Sequence, residues 1–447
     1  MNYINSSSQV IQIEPFKIYN QNNSLELIKK ICLAVTGIGF LFLLISLTGI
    51  SNQLPILFFF LSFGLIAAGS VFYFVVLTKE APTGIKNNKI FIDSLSSRKT
   101  AAWILGVVLT GFYVVLYWFP ELMQNWINLV NPLSYYLRGK PADHWFLYGA
   151  FYTTAVLVMA VRMIVKYRHN RYQIIRSISV SIFQLGLSFI IPGILVKLNK
   201  PEFYFNYFWP LKFQYLFPSE IKYLTSKGEA LGYFMVFWGI AMFVIATPIL
   251  TYFFGKRWYC SWVCGCGGLA ETAGDPFRQN SDKSLKAWKL ERWSIHSVLV
   301  FVVVMTGLLW INSATGGKVL GTISQTFAGW YGFIIGALFS GIIGVGFYPI
   351  FGSRVWCRFG CPMAAALGML QKKLSRFRIT VNGNQCISCG NCSTYCEMGI
   401  DVKWYAQRGQ NIIRSSCVGC GICSAVCPRG VLKLENLPAA GRYNKVD

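Results

Sequence analysis

SIHSVLVFVVVMTGLLWI, residues 294–311, runs without a charged side chain. As an α-helix rising about 1.5 Å per residue, a run of this length matches the hydrocarbon core of a bilayer, roughly 30 Å thick. Seven further apolar runs lie near 31–50, 54–77, 101–119, 146–165, 177–196, 230–254 and 328–350. Composition agrees: with 54% hydrophobic and 13% charged residues, 447 residues lack the polar surface to clothe the several soluble domains that the length would otherwise allow. The expected fold is therefore an α-helical polytopic membrane protein with eight transmembrane helices.

Lys plus Arg number 41 against 17 Asp plus Glu, a net charge of +24. In a membrane protein such an excess marks basic loops retained in the cytoplasm, so no nucleic-acid partner is expected. The loop after the second span carries Lys79, Lys86, Lys89, Arg98 and Lys99; that after the fourth carries Lys166, Arg168, Arg171 and Arg176; that after the sixth begins Lys256, Arg257. On the other side, 120–145 holds Arg138 and Lys140, 312–327 holds Lys318, and 197–229 balances five Lys with Glu202, Glu220 and Glu229. The expected location is the cytoplasmic (inner) membrane, with both termini in the cytoplasm. The first 30 residues lack the basic n-region and cleavage site of a signal peptide, so the first span is expected to direct insertion. The loops 120–145 and 197–229 are rich in aromatic residues (Trp126, Trp145, Tyr204, Phe208, Trp209) and read as interfacial packing caps.

Eight of the fourteen cysteines fall between Cys386 and Cys427. Cys386-x2-Cys389-x2-Cys392-x3-Cys396 is followed by Cys417-x2-Cys420-x2-Cys423-x3-Cys427-Pro428, the spacing of a bacterial two-cluster ferredoxin. Three closely spaced thiolates wrap three corners of an iron–sulfur cubane, and the fourth cysteine of each run reaches across to the other. The expected ligands are Cys386, Cys389, Cys392 and Cys427 for one [4Fe-4S] cluster, and Cys417, Cys420, Cys423 and Cys396 for a second. Structural zinc usually takes two Cys-x2-Cys knuckles rather than four-cysteine runs. Residues 379–437 are thus expected to form a small α+β ferredoxin domain on the cytoplasmic side. Glu397 stands where ferredoxins usually carry proline.

Residues 254–264, FGKRWYCSWVC, and 351–361, FGSRVWCRFGC, share Phe-Gly-x-Arg-x-aromatic-Cys-x3-Cys at an offset of 97 residues. Each copy follows an apolar hairpin, so the last four spans read as two parallel repeats that bring Cys260, Cys264, Cys357 and Cys361 together at the cytoplasmic surface. Two readings stand for these four: a further metal or redox site, or small side chains that permit close packing. Cys266 adds a fifth thiol without an assigned role, and Cys32 reads as packing. Arg257 and Arg354 read as topology markers. Glu271 and Asp275 read as loop charges, with proton acceptance from a bound quinol as the functional alternative. Residues 283–293 read as an interfacial helix, and three histidines on separate segments argue against bis-histidine haem. The expected organisation is a tail (1–30), a four-helix N-terminal membrane region (31–176), a four-helix core with the duplicated motif (177–378), the ferredoxin domain (379–437) and a tail (438–447).

On these motifs, residues 177–437 resemble the membrane polyferredoxins of the NapH, NosR and CcoG group. In that group the motif usually ends in Cys-Pro: Cys357-x3-Cys361-Pro362 matches, whereas Cys264 is followed by Gly265 and Cys266. The resemblance implies electron transfer between the membrane quinone pool and a partner redox protein or respiratory enzyme complex. It also leaves open an assembly or regulatory factor for a respiratory metalloenzyme, reducing a metal ion or aiding maturation. The same residues serve an electron carrier and a quinol-linked oxidoreductase subunit, and the resemblance says little about the first four spans.

Overall fold

Eight helices long and apolar enough to cross a membrane run Ser24–Thr48, Pro55–Thr78, Thr100–Trp118, His144–Lys166, Arg171–Lys197, Pro218–Phe254, Leu285–Ala314 and Ala328–Gly346. The computed structural model describes residues 23–80, 93–321 and 323–436. Most of the expected N-terminal tail, the loop positions Lys86 and Lys89, and the tail 438–447 lie outside the described residues. All eight spans fall where apolar run length places them, and the differences are at their ends.

Three ends carry a physical reason. The Ser284 hydroxyl accepts a hydrogen bond from the Ala287 N–H, capping a helix that then continues to Ala314. The expected interfacial helix at 283–293 is therefore the first turns of the seventh span, since nothing between 285 and 311 breaks a helix. The sixth helix, by contrast, is broken at Glu229, whose φ of 52° is non-helical. The spanning part accordingly starts at 230, as hydrophobicity indicates. The Asp143 carboxylate accepts from Phe146 N–H at 2.8 Å and binds Arg138 at 2.8 Å, closing the 120–145 segment onto the fourth span.

The segment 197–229 does not lie flat on the membrane surface. Asn206 donates to Ser188 at 2.7 Å, Trp209 Nε1 donates to Thr306, and the Tyr259 hydroxyl donates to the Asn206 carbonyl at 2.9 Å. These partners lie within the fifth and seventh spans and beside Cys260, so the aromatic segment enters the helix bundle. Irregular backbone is tolerated at that depth because protein surrounds it.

After the last span, Pro362–Leu374 forms a helix that leads into β1 (Phe377–Val381). This strand pairs antiparallel with β2 (Leu432–Asn436), with Phe377 opposite Asn436 and Val381 opposite Leu432. The two strands close the cysteine-rich segment into one unit whose buried residues are continuous with the membrane core through Trp356, Met363 and Phe377.

The first two spans pack through small residues: a Cβ on Gly69 would meet Thr36 Oγ1 and the Cys32 carbonyl. Gly69→Leu is expected to destabilise the protein by about 1–3 kcal/mol through overpacking. Thermal unfolding in detergent checks this, and an unchanged midpoint would mean that these two helices separate freely.

Candidate iron–sulfur centre and its buried ion network

The two four-cysteine runs fold as two similar loops. Each passes through a glycine in the left-handed region, Gly390 at φ 81° and Gly421 at φ 77°, and then makes one helical turn, Asn391–Thr394 and Ile422–Ala425. The turns place the cysteines around two separate hollows. Cys386, Cys389, Cys392 and Cys427 line the first, with Gly390, Pro428 and Leu432. Cys396, Cys417, Cys420 and Cys423 line the second, with Ile379, Met398 and Ile400. The fourth cysteine of each run thus stands with the first three of the other.

The hollows differ in setting. Cys389 is exposed, and Lys403 and Arg429 border the first hollow. The second is pressed against the membrane region, whose side chains capture the outward-facing carbonyls of its loop. Tyr172 donates to Gly419 O, Gln173 and Arg176 both donate to Cys420 O, Ser261 donates to Val418 O, and Gln371 donates to Cys417 O, all at 2.8 Å. Approach is so close that a Cβ on Gly419, at φ 64°, would strike the Arg257 side chain.

Burial pushes the Cys392 thiol up to about 12 and the Cys417 thiol up to about 11. Such groups give up their protons to a soft metal rather than to water. A group held by four thiolates is net anionic, and the chain's buried cations test the fit. Lys256 is fully buried, and its ammonium reaches the Ser415 carbonyl at 3.2 Å with no carboxylate partner among the described residues. Two nitrogens of Arg176, Nε and Nη2, are buried without a partner. A buried cation without a carboxylate partner is strongly disfavoured, so an anionic group beside Lys256 fits.

Glu271 and Asp275 are not loop charges. Both are buried in a network with Arg162, Lys166, Arg176, Arg278, Arg354 and Glu397. Asp275 accepts from Arg162 at 2.6 Å, Lys166 at 2.8 Å and Arg278 at 2.7 Å. Glu271 binds Arg176, Arg278 and Arg354, and Glu397 binds Arg278 and Arg354. Burial alone would raise the Glu271 carboxyl, but Arg176, Arg278 and Arg354 outweigh it and hold it well below the ordinary range. Burial and the neighbouring Glu271 raise Glu397 against the pull of Arg278 and Arg354. Oxygens of both glutamates and the Cys420 sulfur lie within 4.8 Å of one another. Arginine already claims both carboxylates, so this trio is a lattice of ion pairs rather than a cation site. Arg354, read from sequence as a topology marker, belongs to this lattice, whereas Arg257 sits over the Phe377 ring at 4.7 Å and bonds Asn436.

Cys260, Cys264, Cys357 and Cys361 are all buried in one core and act on one another electrostatically. They do not emerge at the surface as the parallel repeat suggested. The Cys264–Gly265 turn packs against Gln184, midway along the fifth span, and the Tyr207 hydroxyl leaves no room for a Cβ at Gly265. Gly360 likewise abuts Phe339 inside the eighth span. Both motifs are re-entrant. Arg354 Nη1 links this group to the network, donating to Cys260 O at 3.1 Å and to Cys357 Sγ at 3.6 Å. Cys266, without a role from sequence, hydrogen-bonds Cys264.

Known proteins resemble this chain over the same stretches of sequence. The family described as "4Fe-4S dicluster domain" matches residues 379–434. The family described as "4Fe-4S binding domain" matches twice, at 235–284 and 329–381, one match for each repeat. Among curated proteins, the chain is similar to "Putative electron transport protein YccM" of Escherichia coli strain K12, 26% identical over 172 residues, covering 36% of this chain and 47% of that protein. It is also similar to protein MJ0749 of Methanocaldococcus jannaschii, 28% identical over 161 residues, covering 34% and 56%. The chain spans about half the length of these relatives, and no solved structure matches it significantly.

Breaking the network is expected to be severe. Arg278→Leu leaves Asp275, Glu271 and Glu397 each short of a partner and should destabilise the protein by about 3–5 kcal/mol, read as a lowered unfolding midpoint in detergent. A near-neutral result would show that the carboxylates relax elsewhere. Taken together, the matches give this chain regions similar to 4Fe-4S-binding domains, joined to eight helices long and apolar enough to cross a membrane.

Proposed function

We propose that the chain relays electrons between the membrane quinone pool and a partner redox protein through two cytoplasmic [4Fe-4S] clusters. The first is held by Cys386, Cys389, Cys392 and Cys427, the second by Cys396, Cys417, Cys420 and Cys423. The observation that carries this reading is the closure of two separate four-cysteine hollows by interleaved runs. When bound, each group takes up and gives back one electron. The name of the Escherichia coli relative points the same way.

The settings of the hollows support an order. The second lies against the membrane region and, through Arg354, next to Cys260 and Cys357. The first has its exposed Cys389 at the surface, where a partner protein would dock. For the quinone side, a cavity of about 770 Å³ lies between the seventh and eighth spans. Leu290, Phe339, Ile343 and Phe359 form an apolar part, while Arg98, Lys286 and Arg358 form a cationic end. Trp356 lines it too, and its buried indole N–H has no partner. An apolar wall with a few polar groups suits a ring with carbonyl oxygens. Oxidation of a quinol there releases two electrons, one for each cluster, and two protons, which leave to water beside the exposed Asp282.

Two experiments test this. In membranes prepared anaerobically, menadiol should reduce the clusters, and Cys427→Ser should damage the first cluster while sparing the second. If dithionite reduces the clusters and menadiol does not, the quinone part is lost; zinc without acid-labile sulfide would remove the clusters as well. Replacing Cys260, Cys264, Cys357 and Cys361 together by Ser should slow reduction by menadiol at least tenfold while leaving reduction by dithionite intact. Parent-like behaviour would assign these four residues to packing. The basic loops also support a cytoplasmic ferredoxin unit, and reporter fusions should read cytoplasmic at Lys286 and exterior at Gly139.

A further inference from the structure

The buried cations that tested the fit of the second hollow have a consequence for how its cluster behaves. Arg176 is 1% exposed. Its Nη1 is used twice, on Glu271 at 2.6 Å and on the Cys420 carbonyl at 2.8 Å, while Nε and Nη2 have no partner. Lys256 is 0% exposed and lies within electrostatic reach of Cys417, Cys260 and Cys357. Arg176 and Lys256 reach the loop of the second hollow from the membrane side, at the Cys420 and Ser415 carbonyls, and oppose the negative charge of Glu271 and Glu397, whose oxygens lie within 4.8 Å of the Cys420 sulfur. The first hollow, with exposed Cys389, is screened by water instead.

We infer that Arg176 and Lys256 are positioning residues for the second cluster: their buried charge offsets its added electron, so that it is reduced in preference to what its dry setting alone would allow. The inference rests on the assignment of Cys396, Cys417, Cys420 and Cys423 as that cluster's ligands. Burial makes each added negative charge unfavourable, and a fixed buried cation a few ångströms away opposes that effect with little solvent screening. Because Arg176 comes from the fifth span and Lys256 follows the sixth, the helical membrane core acquires a role in the redox centre. It supplies cations that a free-standing two-cluster module, surrounded by water, would not need.

The test is an EPR-monitored redox titration of the anaerobically purified full chain. Arg176→Gln should retain iron and sulfide for two clusters and make reduction of one of them about tenfold less favourable, about 59 mV for a one-electron couple. Arg176→Lys, which keeps the charge, should recover most of that shift, and Lys256→Gln should move the same cluster in the same direction. Loss of that one cluster from both neutral variants but not from Arg176→Lys also supports the inference. Unchanged midpoints in the neutral variants, or equal loss in all three, overturn it. Cys420→Ser separates the two levels of the argument: if both cluster signals survive that change, the ligand assignment is what fails.

Discussion

A buried carboxylate must find a cation, and in this protein that requirement ties the fourth and fifth spans, both cysteine motifs and the ferredoxin unit together. Glu271 and Asp275 lie on a re-entrant segment after the first cysteine motif. Their partners come from the fourth span (Arg162, Lys166), the fifth (Arg176), the second repeat (Arg354) and the segment's own Arg278. Arg278 and Arg354 then hold Glu397, which follows Cys396 in the ferredoxin unit. None of these charges has water to fall back on, so displacement of one element leaves ions bare in several others. The iron–sulfur unit is in effect ionically riveted to the membrane region.

That attachment explains a departure from ferredoxin sequence. A proline after the fourth cysteine would serve a free-standing module, whereas Glu397 here is an anchor, and the local turn still brings Cys396 to the second hollow. The same logic places the duplicated motifs. Their cysteines enter the bundle rather than ending at its surface, because small residues at Gly265 and Gly360 allow the turns to pack against spans without room for side chains. Arg354 then links Cys357, by hydrogen bonds, to the carboxylates beside Cys420.

Much of this was legible in the linear chain. Span number followed from uncharged run length, the two hollows from cysteine spacing, and the repeat from the 97-residue offset, which the two separate matches to one family now support. The misreadings share a cause. Arg354 looked like a topology marker, and Glu271 and Asp275 like loop charges, because they fall in short polar stretches between apolar runs, and local composition carries no information about what folds back over such a stretch. The aromatic segment 197–229 looked like an interfacial cap for the same reason: tryptophan and tyrosine suit a headgroup layer and an interior site equally well.

Local rules governed by backbone hydrogen bonding and cysteine spacing were therefore legible in the sequence alone: helices long enough to span lipid and cysteines at the spacing of a two-cluster ferredoxin. Only the tertiary structure decided which charges are buried, how deep the paired cysteine motifs sit, and that the fourth and fifth spans border the second hollow. These depend on contacts between residues far apart in the chain, Arg176 with Cys420 or Arg278 with Glu397, and burial rather than residue type sets their strength.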